Sequence, residues 1–242
     1  MERNTIRQID CLEGLRSLPD RCIDIVVTSP PYNKQEGKNA GALVQAVVYD
    51  SFTDRMSETE YQLNQIAVLH ELYRVLKDNG SVFYNHKNRF AQGEMISPLQ
   101  FILQTDFTIR QEIVWDRMIA GNIRGWRFWQ TDERIYWLQK RGVKQAELPS
   151  DVASLGSVWR IHPEAGQNTG HPCAFPEELV KRCISVGQER GLLVLDPYMG
   201  SGTTAVVAKR MGHDYIGFEL SEGYIEIAKR RLAGEHPQQK LF

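Results

Sequence analysis

Apolar positions in this chain fall into short runs that alternate with stretches of helical repeat, as in strands and helices taken in turn. A short strand is predicted up to Asp10, then a helical turn to Leu18, before Pro19 and Asp20 break the chain. Residues 23–27 are almost continuously apolar, as in a strand covered on both faces. Ser57, Glu58, Thr59 and Glu60 fit a capping box. Behind them Tyr61, Ile66, Leu69, Leu72 and Leu76 recur at helical spacing, until Asp78-Asn79-Gly80 ends the helix. Strands are predicted over 81–84, 107–115 and 133–138, the last two forming a hairpin-like pair, with a helix over 98–104 and a polar linker over 140–156. Helices over 176–186, 203–211 and 221–232 accompany strands over 192–195 and 215–218. The pattern is that of an α/β protein with a mostly parallel twisted sheet and helices on both faces.

Two stretches carry chemistry. The first, LLVLDPYMGSGTTAVVAKRMGHDYIGFE over 192–219, is a strand, a glycine turn, a helix and a second strand closing on Glu219. Gly200 and Gly202 permit a tight turn and close approach of a ligand. The following helix start offers free N–H groups, and an acid at the second strand's end suits ribose hydroxyls. Alone, this fingerprint fits several nucleotide-like ligands, a nicotinamide cofactor among them. The second stretch is Thr28-Ser29-Pro30-Pro31-Tyr32-Asn33. Two prolines cannot donate to a sheet ladder, so the 23–27 strand must end in a stiff loop at its carboxyl end. In open α/β sheets that is the side where ligands bind.

Two loops follow from what lacks periodicity. Residues 33–56 are polar, small and glycine-bearing, and carry Lys34 and Lys38; their place after the proline loop predicts a mobile lid or target loop. Residues 116–131 interleave Arg117, Arg124 and Arg127 with Trp126, Phe128 and Trp129, a mixture suited to phosphate contacts and base stacking.

Bulk properties narrow the class. The chain has 242 residues, enough for one core, and a net charge of −1, which neither requires nor excludes nucleic acid. Cys11, Cys22, Cys173 and Cys183 are too scattered for a zinc site or a disulfide scaffold, so no metal is expected and a reducing, cytoplasmic setting is. No apolar run is long enough to span a bilayer, and the N-terminus is too polar for a signal peptide.

TSPPYN at 28–33 followed by LDPYMGSG at 195–202 resembles the amino-directed DNA methyltransferases that use S-adenosylmethionine. The catalytic tetrapeptide precedes the cofactor loop, as in the circularly rearranged beta subclass. IDCLEGLRSLPD at 9–20, VLKDNGSVF at 75–83 and HPCAFPEEL at 171–179 extend the likeness to nearly the whole chain; 33–56 and 117–156 are its least typical parts. The resemblance implies a single Rossmann-like methyltransferase domain over 1–242, with 117–156 a candidate DNA-recognition insertion. It implies that Ser29, Pro30, Pro31 and Tyr32 hold and activate a flipped base. It also implies that Asp10, Cys11, His171, Phe175, Asp196, Pro197, Gly200, Ser201, Gly202, Thr203 and Glu219 surround the S-adenosylmethionine. Double-stranded DNA is the implied partner, contacted by Lys34, Lys38, Arg117, Arg124, Trp126 and Arg127; a homodimer and a cognate restriction enzyme are further implied partners. Ser29 at the head of the tetrapeptide leans to cytosine N4, with adenine N6 as the alternative. More distant alternatives are an RNA or protein methyltransferase, a nicotinamide-dependent dehydrogenase and a non-catalytic DNA-binding module. A cytosine C5 enzyme would need a thiolate in a Pro-Cys-Gln context, whereas Ala174 follows Cys173.

Arg127→Ala and Arg124→Ala should each weaken duplex DNA binding, read by fluorescence anisotropy, while S-adenosylmethionine binding by calorimetry changes little; unchanged DNA affinity in both would remove the loop from the interface.

Overall fold

In the computed structural model, residues 1–33, 56–120, 125–143, 147–163, 175–187 and 189–234 are described. The strands are β1 (Thr5–Gln8), β2 (Ile23–Thr28), β3 (Leu76–His86), β4 (Arg89–Ala91), β5 (Glu94–Ile96), β6 (Phe107–Asp116), β7 (Asp132–Lys140), β8 (Val158–Arg160), β9 (Leu193–Asp196) and β10 (Asp214–Glu219). The helices are α1 (Cys11–Arg16), α2 (Glu58–Val75), α3 (Leu99–Ile102), α4 (Ser150–Ala153), α5 (Glu177–Ile184), α6 (Thr203–Arg210) and α7 (Glu222–Leu232).

The apolar run of β2 lies at the centre of an eight-stranded sheet of order β1-β10-β9-β2-β3-β7-β6-β8. All pairings in this sheet are parallel except β3–β7 and β6–β7. The strand next to β2 on one side is therefore β9, which leads into the glycine turn. Because β7 alone runs backwards, its first residues meet the last residues of β3 and β6: His86 pairs with Arg134, and Trp115 with Glu133. The carboxyl ends of the parallel strands and the start of β7 thus share one edge.

Alternate side chains of the strands feed two cores. Val26, Tyr84 and Leu195 pack with α1, α2 and α3 on one face; Val27, Phe83 and Val194 pack with α5 and α6 on the other. This is the expected layering, with helices on both faces. Among the described residues no helix is long and apolar enough to cross a membrane.

Some predicted boundaries moved. Helix α2 keeps its capping box at Ser57 and Glu60, but stops at Val75. Leu76 is already extended and buried, and β3 runs through Asp78-Asn79-Gly80 with an irregular register against β2. Gly80 is required there because a Cβ would lie 2.8 Å from the Asp24 carbonyl oxygen. The β4–β5 hairpin was not foreseen: its turn uses Gln92 and Gly93, both left-handed at φ 53° and 85°, without an Asn-Gly or Asp-Gly signal. The linker over 140–156 contains α4, and residues 132–140 of the candidate insertion are β7, a strand inside the sheet.

Gly202 answers to packing as well as to backbone freedom. Its φ is +82°, and a Cβ would lie 2.6 Å from the Ala228 Cβ on α7. Gly212 has a similar φ of +79° with open space around it. Gly212→Ala should lower the unfolding free energy by about 1 kcal/mol, the left-handed cost alone. Gly202→Ala should lose roughly 2–4 kcal/mol because the clash adds to it. Urea denaturation of both variants checks the difference.

Candidate active site

The proline loop and the glycine loop are joined by one buried carboxylate. Asp196, the last residue of β9, accepts a hydrogen bond from the Thr28 hydroxyl at 2.8 Å and another from the Thr204 hydroxyl at 2.7 Å. The Tyr198 amide donates to it as well, at 3.0 Å. Burial pushes this carboxyl up to about 6, although the Thr204 and Thr28 hydroxyls pull the other way. Asp196 sits next to Ser29's strand end, on the β9 side, and holds Ser29's neighbour Thr28 against the first turn of α6.

The glycine turn is braced from two directions. Gly200 is left-handed at φ 52°, and its amide donates to the Glu219 Oε2 at 2.8 Å. The other oxygen of Glu219 accepts from the amides of Leu220 and Ser221, both at 2.9 Å. A carboxylate can accept about four hydrogen bonds, so with these three amides in place Glu219 retains capacity for one further hydroxyl. From α7, Arg231 donates to the Ser201 carbonyl at 2.8 Å, the Ser201 hydroxyl at 3.2 Å and the Thr203 hydroxyl at 3.0 Å. Those two hydroxyls, expected at the cofactor, therefore face a structural arginine. Pro197 is buried at the turn's entry. Just past β1, Asp10 caps α1 by accepting from the amides of Leu12 and Glu13. Cys11 is buried and hydrogen-bonded to the Tyr198 hydroxyl at 3.3 Å. Burial pushes its thiol up to about 11, so it is no nucleophile at neutral pH.

A second cluster forms at the ends of β2, β3 and β6 and the start of β7. The Ser29 and Tyr32 hydroxyls are 2.7 Å apart, and Tyr32 donates to Glu133 Oε2 at 2.8 Å. Asn85, at the end of β3, donates its amide protons to Tyr32 and Glu133, both at 2.7 Å. Its Oδ1 is buried without a hydrogen-bond partner among the described residues. Arg117 closes the cluster with a 3.0 Å ion pair to the other oxygen of Glu133. Glu133 is buried, as are Asn85 and the adjacent His86.

The tetrapeptide is backed by rings. The Tyr32 ring lies 4.6 Å from that of His86, centroid to centroid, with Lys87 over it at 5.4 Å. Tyr61 reaches up from α2, its hydroxyl 2.7 Å from both the Pro31 carbonyl and His86 Nε2. Burial pushes the His86 imidazole down to about 3, so the ring is neutral in use. Its Nδ1 carries the proton, donating to the Lys87 carbonyl at 2.7 Å. Nε2 is then an acceptor, and the single Tyr61 proton is shared between it and the Pro31 carbonyl.

The loops give a mixed picture. Arg117, expected on DNA, is turned into the site against Glu133. Trp126 and Trp129 are largely exposed and Phe128 is 97% exposed, while Arg127 lies 4.1 Å from the Phe90 ring centroid and anchors the loop to the β4–β5 hairpin. Asn33 is left-handed and pairs with Met56 in both directions, at 3.0 and 2.8 Å, so one side chain ties the two ends of the 33–56 segment. Phe175 packs edge-on to Trp115 at 6.4 Å, within the core on the α5 face. Lys34, Lys38, Arg124 and His171 lie outside the described residues, as does Cys173. Among the described residues no cluster could hold a metal ion.

Thr28, Tyr61, Asn85, His86 and Glu133 were not singled out from the sequence as site residues. Asn85-His86 already read as a polar strand exit, and Glu133 as the first residue of a strand; only the sheet order brings them to Ser29.

Comparison with known proteins places this arrangement. The N6_N4_Mtase pattern, described as DNA methylase, matches residues 23–230. The type II methyltransferase M.HinfI of Haemophilus influenzae is 31% identical, the alignment covering 95% of this chain and 68% of that protein. M.BglII of Bacillus subtilis is 29% identical over 99% of this chain and 71% of that protein. Among solved structures, PvuII DNA methyltransferase (cytosine-N4-specific) superposes with a TM-score of 0.76 at 19% identity, covering all of this chain and 89% of that one. A protein of Thermus thermophilus, described as a DNA modification methylase and complexed with S-adenosyl-L-methionine, gives a TM-score of 0.71 at 25% identity, covering 96% of each chain.

Asp196 predicts a pH dependence. Its pKa is raised on folding, so its contribution is fully present below the unfolded value near 4 and is lost as pH rises through about 6. Asp196→Asn removes that titration. Relative to the variant, the wild type should lose up to about 3 kcal/mol of unfolding free energy between pH 4 and 6.5, read from denaturant melts at each pH.

Proposed function

The chain belongs to the N6/N4 DNA methylase family, and on that premise we propose that it methylates the N4 amine of a flipped cytosine. It is a site-specific DNA methyltransferase and takes its methyl group from S-adenosylmethionine. The residues present suit that cofactor: a left-handed glycine turn opens α6, Glu219 ends β10, and Asp10 caps the helix that follows the adjacent strand β1. Glu219 would take its ribose, Asp10 and Cys11 would lie by its adenine ring, and the turn 197–203 would meet its amino acid end. When bound, the group supplies an electrophilic methyl on sulfur.

The observation that carries the reading is Ser29 at the end of β2, held beside the glycine turn through Thr28 and Asp196. An exocyclic amine is a poor nucleophile because its lone pair is delocalised into the ring. The Ser29 hydroxyl and the Pro30 carbonyl would accept its hydrogens and turn the lone pair towards the methyl carbon, a matter of positioning and preorganised electrostatics. The nitrogen bonds to that carbon, the methyl–sulfur bond breaks with its electrons left on sulfur, and the nitrogen sheds one proton to water. Tyr32 would stack on the flipped base, extruded at a cost of roughly a few kcal/mol.

Serine at the head of the tetrapeptide favours cytosine within the resemblance. Asn33, which also occurs in adenine enzymes, has a separate task here in closing the 33–56 segment. That segment would act as a lid within a single domain, and the exposed aromatics at 126–129 would meet the DNA. A homodimer would widen the footprint, and a restriction enzyme of matching specificity would be its companion.

The test is to incubate the protein with duplex DNA and labelled S-adenosylmethionine and digest the product for mass spectrometry. N4-methylcytosine is expected; N6-methyladenine alone would refute the choice of base, and label on RNA or protein but not DNA would refute the reading. Ser29→Ala should lower kcat about 100-fold or more with cofactor affinity nearly unchanged.

A further inference from the structure

Counting protons in the Ser29 cluster gives Glu133 a task. A phenol has one proton, and that of Tyr32 goes to Glu133 Oε2 at 2.8 Å. At the 2.7 Å contact between Ser29 and Tyr32, Ser29 must then be the donor. The two amide protons of Asn85 go to Tyr32 and Glu133 at 2.7 Å, leaving Ser29 at a longer 3.4 Å. Arg117 occupies the remaining oxygen of Glu133 at 3.0 Å. Every hydrogen in the chain therefore points one way, from Ser29 through Tyr32 to the carboxylate.

We infer that Glu133 is a positioning residue for the methyl transfer: through Tyr32 it turns the Ser29 proton into the protein, so that serine meets the base amine as an acceptor only. This rests on the function proposed above. A free serine hydroxyl can donate to an amine lone pair as readily as it accepts from its N–H groups, and donation would oppose attack on the methyl carbon. A carboxylate in Ser29's place could not make that error. Here the carboxylate stands one tyrosine away and imposes the same polarity on a neutral hydroxyl.

Glu133→Gln reverses the polarity, because the new amide can donate to Tyr32 and send the phenol proton towards Ser29. Tyr32→Phe keeps the stacking ring and cuts the chain. Each should lower kcat by about 100-fold, with KM for DNA and for S-adenosylmethionine within about two-fold of wild type. The double variant should be no slower than the slower single variant, since both break one chain. Unchanged kcat in Glu133→Gln, or losses that multiply in the double variant, would overturn the inference. So would a loss that merely follows the folded fraction, measured by circular dichroism at the assay temperature. A wild-type protein that puts no label on DNA would instead refute the functional reading itself.

Discussion

The buried carboxylate of Asp196 is the constraint on which the site depends. It stands at the end of β9, beside β2, and its two oxygens are shared between a threonine of the proline loop and a threonine of α6. A charged group in that position is costly unless its lone pairs are met, and the two hydroxyls and the Tyr198 amide meet them. The same bonds set the distance between the residues that would hold the acceptor and those that would hold the donor. Methyl transfer asks for reacting atoms brought to about van der Waals contact and held in line. A link one side chain long, buried between the two loops, is a stiff way to meet that demand.

The two halves of the edge differ in material. On the donor side, the backbone dominates: the amides of Gly200, Leu220 and Ser221 are arranged around Glu219, and Arg231 locks the turn from behind. On the acceptor side, side chains dominate: Ser29, Tyr32, Asn85 and Glu133 form one hydrogen-bonded unit backed by Tyr61 and His86. The reversed strand β7 makes the second half possible. In an all-parallel sheet the position next to Asn85 at this edge would be another strand's last residue; here it is a first residue, and the loop before it is free to carry the aromatic residues 126–129.

Much of this could be read in advance where the backbone itself was constrained. Two prolines must end β2, glycines must mark the turn before α6, and the apolar runs must form the buried strands, whatever their neighbours. The capping box at Ser57 was equally local. What escaped was set by pairing between distant segments. Glu133 has no local signature that separates a buried acid from an exposed one at a strand start, and Arg117 looks like any other loop cation until Glu133 is placed beside it. Ser201 and Thr203 looked like ligand hydroxyls because nothing local announces Arg231. The early end of α2 belongs to the same class: Leu76 leaves the helix to pair with Ile23 of β2, a demand of strand pairing that overrides the turn residues downstream.

The Asn33–Met56 pairing has an evolutionary consequence. With both ends of the intervening segment fastened by one amide side chain, its length is uncoupled from the rest of the edge. Closing a loop between two anchors costs only about 0.6 kcal/mol more for each doubling of its length. Residues between the two anchors can therefore be lengthened, shortened or exchanged at small energetic cost while Ser29 and Tyr32 stay put. Variation between the anchors is thereby separated from the hydrogen-bonded cluster at the strand exit.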